Sequence, residues 1–88
     1  MAMTPFRRRL MAYLDQHGPT PRVTIMCDMI PDSLAGRKGD PQNAARIVGR
    51  WVEPLIDAGL IRVEHHRGFY RHHELTERGR AWLRENPE

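Results

Sequence analysis

Gln42 and Asn43 lie four and three residues before Arg46, and Arg50 four after it, so a helix through this segment carries them on one stripe. These are the side chains suited to base edges: an arginine fork pairs with guanine, and an amide pairs with adenine. Farther along the same stripe stand Glu53 and Asp57. Carboxylates there would repel phosphate, which suits a helix end lifting away from a polyanion. The run His65-His66-Arg67-Gly68-Phe69-Tyr70-Arg71-His72-His73 is a second cluster. Arg67 and Arg71 can grip phosphates, with His66 assisting when protonated. Arg37 and Lys38, in the stretch Asp32 to Gly39, add cations just before the stripe.

Other chemistries find little to work with. Neighbours such as His65 and His66 point to opposite faces of a strand, and no cysteine or carboxylate at ligand spacing completes a metal site. No metal and no cofactor is expected. Cys27, the sole cysteine, excludes an intrachain disulfide and reads as an inert small hydrophobe in a buried helix. Met26 and Met29 read as core filler. No Ser-His-Asp set, phosphate-cradling glycine loop or carboxylate pair can be assembled, and Asp28, Asp32 and His17 are scattered. The chain therefore reads as a binder and not an enzyme. No apolar run approaches the roughly 18 residues of a membrane span, and no apolar segment follows Arg7-Arg8-Arg9 as a signal peptide requires. A cytoplasmic location without membrane contact is the expectation. Those three arginines, turned about 100° from one another on a helix, cannot share a face.

The chain has 88 residues, 14 Lys+Arg against 11 Asp+Glu and a net charge of +3. That length suits a single domain over residues 1–88 with one modest core. All but one of the cations are arginine, Lys38 being the exception. This bias fits a GC-rich bacterial or phage origin. Thr4-Pro5 caps a first helix over about 4–17, with Phe6, Leu10, Tyr13 and Leu14 inward and Gly18-Pro19 ending it. Thr20-Pro21 repeats the signal for a second helix over about 21–30, apolar nearly all round and hence largely buried. Asp40-Pro41 opens a third over about 41–58, its inner stripe Ala44, Ile47, Val48, Trp51 and Leu55. Pro54 conflicts with a helix interior and predicts a kink after Arg50 or a break; Gly59 ends the element. The period then changes. Leu60–Glu64 and Phe69–Leu75 read as two strands of a wing over about 60–75, with the turn at His65–Gly68. Thr76 caps a last helix over about 77–86, with Leu75, Gly79, Trp82 and Leu83 inward. Both tryptophans read as core.

Leu55-Ile56-Asp57-Ala58-Gly59-Leu60-Ile61-Arg62 resembles the end of a recognition helix running into a first wing strand. Leu75-Thr76-Glu77-Arg78-Gly79, followed by apolar Ala81-Trp82-Leu83, resembles the segment after the wing. Together they make residues Gln42 to Leu83 similar to winged helix-turn-helix transcription regulators of the multiple-antibiotic-resistance type. The resemblance implies a mainly α fold with a small β-hairpin, in the order helix-helix-helix-strand-strand-helix. It also implies double-stranded DNA as partner, read by the third helix in the major groove and gripped by the wing. Candidate contacts are then Arg37, Lys38, Gln42, Asn43, Arg46, Arg50, His66, Arg67 and Arg71. Many such proteins pair as homodimers on two half-sites, and the first and last helices are available for that. The alternative is a winged-helix module that docks a protein partner and leaves DNA alone.

Overall fold

The computed structural model describes residues 3–30, 41–66 and 70–87; at 41–45, 65, 66 and 70 it describes the backbone. Along the chain run α1 (Pro5–His17), β1 (Thr20–Pro21), α2 (Arg22–Met29), α3 (Pro41–Asp57), β2 (Ile61–His66), β3 (Tyr70–Leu75) and α4 (Glu77–Glu85). The expected fold class holds: a mainly helical body with a β-hairpin between the last two helices, the winged helix-turn-helix arrangement. The expected hairpin belongs to an antiparallel sheet of three strands in the order β1-β3-β2.

Local chemistry accounts for most element boundaries. Thr4 accepts a hydrogen bond from the Arg7 amide at 3.1 Å, and Pro5 fills the first helical position of α1. Gly18, at φ 74°, closes that helix with its N–H on the Leu14 carbonyl. At the end of α3 the Leu60 amide bonds the Leu55 carbonyl and the Gly59 amide bonds that of Ile56, both at 2.9 Å. This double closure needs the left-handed backbone that Gly59 adopts at φ 77°. Leu55 and Leu60, the apolar pair across it, are both buried.

Four expectations change. Thr20-Pro21 does not cap a helix. Thr20 lies opposite His73 and Pro21 opposite His72 as a third strand, and the Thr20 hydroxyl donates to the Gly18 carbonyl. The helix after it begins at Arg22 with no side-chain cap. That helix is buried on one side only: Ile25 and Met26 are inside, whereas Val23 and Cys27 are exposed. Eight residues packed against α3 and the sheet have a solvent side whatever their composition. Third, α3 continues through Pro54 as one element to Asp57, with no break. The backbone bond that Pro54 cannot make falls at Arg50, an exposed position, where water can solvate the carbonyl. Fourth, β2 runs on through His66, so His65 and His66 stand in a strand, opposite Arg71 and Tyr70.

The core lies between the helices and one face of the sheet. Leu10, Met11 and Leu14 of α1, Ile25 and Met26 of α2, Val48, Val52 and Leu55 of α3, and Leu60, Ile61 and Leu75 of the sheet strands and their edge are buried. Trp51 and Trp82 pack on its margin, half-buried. Phe6 meets Trp51 edge-on at 4.6 Å between ring centroids. The Arg8 guanidinium lies over the Trp82 ring and donates to the Asn86 carbonyl, so one of the three early arginines joins α1 to α4. Arg80 of α4 adds an ion pair to Asp15 at 3.4 Å. On the other side of α1 the Tyr13 hydroxyl donates to Asp28 of α2 at 2.6 Å.

The start of α4 is the tightest point. The Thr76 hydroxyl accepts from the Gly79 amide at 3.0 Å and lies 2.7 Å from the Gly59 carbonyl oxygen, while the Thr76 amide bonds the Leu60 carbonyl. A Cβ on Gly79 would overlap the Leu60 carbonyl oxygen and would lie only 2.9 Å from Leu75 Cγ. Alanine in an open helix is worth about 1 kcal/mol over glycine. Here the sign reverses: Gly79→Ala is expected to destabilise by about 2 kcal/mol, roughly 10 °C in melting temperature. A melting temperature at or above the parent's would mean that α4 does not seat on Leu60 in this way.

Candidate nucleic-acid interface

One side of α3 faces the core and the other faces solvent. Val48, Val52 and Leu55 are fully buried, and Arg46, Arg50, Glu53 and Asp57 are exposed. Residues two apart are turned by about 200° on a helix, so burial at 48 and 52 directs 46 and 50 outward. Arg46 and Arg50 line one open cleft of about 520 Å³ with Gly49, Glu53, Ile56, Asp57 and, from α2, Arg22. Its charges are mixed, with three guanidinium groups against two carboxylates.

The wing adds Arg71, exposed on β3. On the hairpin's β2 strand, Arg62 pairs with Glu74 of β3 and with Glu64 at 3.0 Å. The arginine carries its pKa above the ordinary value through that Glu74 contact first. Gln42 and Asn43 lie in the first turn of α3 and His66 at the end of β2, where only the backbone is described. Arg37, Lys38 and Arg67 lie outside the described residues. Among the described residues no three histidine, cysteine or acidic side chains come together as metal ligands.

Two residues that sequence reasoning passed over hold this region together. His73, the last residue of the histidine-rich run, is fully buried in β3. Its Nε2 accepts a hydrogen bond from Arg22 Nε at 3.2 Å. Desolvation, then the cationic charge of Arg22 and Arg71 and the neighbouring His72 ring, push its pKa down to about 4. Arg22 is itself lowered by burial first and by Arg71 next, while Glu53 of α3 pulls the other way. The signal that could have placed Arg22 was the strand before it, but two residues carry no periodicity and Thr-Pro reads equally as a helix start.

No protein-family model matches the chain, and no curated protein sequence does. Two solved structures are similar. The crystal structure of Rv1404 from Mycobacterium tuberculosis aligns with TM-score 0.68 and 27% identity, over 93% of this chain and 49% of that one. A probable transcriptional regulator from Pseudomonas aeruginosa aligns with TM-score 0.68 and 25% identity, over 94% of this chain and 55% of that one. The chain thus spans about half the length of these two proteins.

His73 gives the fold a pH dependence of definite sign. Its folded-state pKa of about 4 lies below the ordinary 6.5. Between these values the unfolded chain takes up a proton that the folded chain refuses. The stability from this group is therefore complete above the window and lost as pH falls through it, by about 3 kcal/mol in all. Urea unfolding at neutral pH and at the bottom of the window checks this, with His73→Gln as the non-titrating reference. Equal acid losses in parent and variant would contradict it.

Proposed function

We propose that this chain is a DNA-binding protein of the transcription-regulator kind. In this reading α3 lies in the major groove of double-stranded DNA and the β2–β3 hairpin rests on the neighbouring backbone. The observation that carries the reading is the sidedness of α3, with Arg46 and Arg50 outward and Val48, Val52 and Leu55 inward. The likeness to the P. aeruginosa regulator supports it.

Gln42, Asn43 and Arg46, in the first half of α3, take base edges, and Arg50 follows one turn later. Arg37, Lys38, His66, Arg67 and Arg71 take phosphates from either side. Glu53 and Asp57, at the far end, turn the helix away from the backbone. The chain acts by binding and not by catalysis, on DNA in the cytoplasm. Two copies on adjacent half-sites would double the sequence read.

Selection of the purified chain on random duplex pools at two salt concentrations tests this directly. A defined motif should be enriched, with binding that weakens steeply as salt rises. Arg46→Ala should cost about 1–3 kcal/mol on the preferred site and relax one base pair of the motif. Arg67→Ala should weaken binding to every sequence alike and lower the salt slope by about 1. Parent-like binding by both variants would overturn the assignment of helix and wing. No retention at low salt would leave the protein-docking module in its place.

A further inference from the structure

We propose that Arg22 is a positioning residue: bonded to His73 and laid on the bare backbone at Gly49, it fixes the angle between the wing sheet and α3. Three elements meet at this side chain. Thr20 of β1 pairs with His73, so α2 begins one residue beyond the sheet edge and its first side chain starts beside β3. From there Arg22 Nε donates to His73 Nε2 at 3.2 Å. The other end of the guanidinium lies against the middle of α3. A Cβ built on Gly49 would stand 3.3 Å from Arg22 Nη1 and 3.7 Å from its Cζ. Glycine inside a helix sacrifices stability that alanine would keep. At Gly49 a methyl would press on the guanidinium, which would have to give by a few tenths of an ångström. Glu53, one turn further along α3, attracts the same cation, and Arg71 of β3 opposes it.

His73 carries the complementary sign. An arginine only donates, so Nε2 must hold the lone pair and the ring proton must sit on Nδ1. That Nδ1 is buried with no hydrogen-bond partner among the described residues. A buried donor left unmatched is costly, and a histidine turned to satisfy it would abandon Arg22. The ring is thus held in the arrangement that serves the arginine. α3 packs on the body through apolar side chains, Val48, Val52 and Leu55. The guanidinium lies between the central turn of α3 and His73, on the strand carrying the wing.

The consequence for duplex binding rests on the reading of α3 as the groove-entering helix; the tautomer of His73 does not. Ring nitrogen NMR of the folded chain is expected to find the Nδ1–H tautomer at His73, and an Nε2–H tautomer overturns the proposal. Arg22→Gln is expected to weaken binding to the selected duplex about tenfold with an unchanged salt slope. A slope lower by about 1 would make Arg22 a phosphate contact instead and overturn it. Gly49→Ala should weaken binding comparably without lowering the melting temperature, because alanine favours the helix. A merely structural arginine would not produce that separation. In the Arg22→Gln background Gly49→Ala should cost nothing further, and additive losses overturn the proposal. The same non-additivity should appear in the backbone amide shifts of β3, read without DNA. A parent chain that fails to bind duplex therefore counts against the functional reading alone.

Discussion

The chain leaves α3 and later enters α4 at the same point, and the contact between these two events governs the rest of the molecule. Gly59 turns the backbone out of α3 so that Leu60 can start the wing. When the wing returns, the Thr76 amide bonds the Leu60 carbonyl, and Gly79 lets the first turn of α4 lie on that carbonyl oxygen. The hydroxyl of Thr76 spans both sides, accepting from the helix it caps while resting on the Gly59 carbonyl. A larger residue at Gly79 would hold α4 away from Leu60 and Leu75, and the apolar ends of α3 and β2 would lose their cover. The hairpin stands where it does because its two roots are joined to each other and to the end of the helix beside it.

Much of this was legible because the chemistry is local. Thr4-Pro5, Gly18, Gly59 and Thr76 act on neighbours within a turn, so each boundary they mark could be read from a few letters. The Leu-Thr-x-x-Gly segment was legible as a resemblance, and the close approach of Gly79 to Leu60 supplies its physical reason. What stayed hidden depends on residues far apart in the chain. Thr20-Pro21 reads as a helix start until His73 and His72 are placed beside it. His73 reads as a surface group until Arg22 reaches it. Cys27 was judged by the apolar composition of its segment, but an eight-residue helix against one side of a body exposes its other side.

The candidate interface divides along the same line. The outward stripe of α3 was legible from spacing alone, since a helix with Ile47, Val48, Trp51 and Leu55 inward has no other place for Arg46 and Arg50. The cleft that these arginines line was not, because its opposite wall comes from α2. Gly49 had no reading at all as a letter in a helix. Its meaning appears once a guanidinium from another element is found lying against it.

The two-residue strand β1 has a consequence for how the molecule is made. Thr20 and Pro21 leave a ribosome well before the strand they pair with, since α2, α3 and β2 lie between them in the chain. Until β3 emerges, α1 and α2 have no sheet to close against, and the buried faces of Leu10, Leu14 and Met26 remain without their final neighbours. Formation of the native body must therefore await synthesis of β3, and a nascent chain stalled before Tyr70 would present an apolar surface for chaperones to hold.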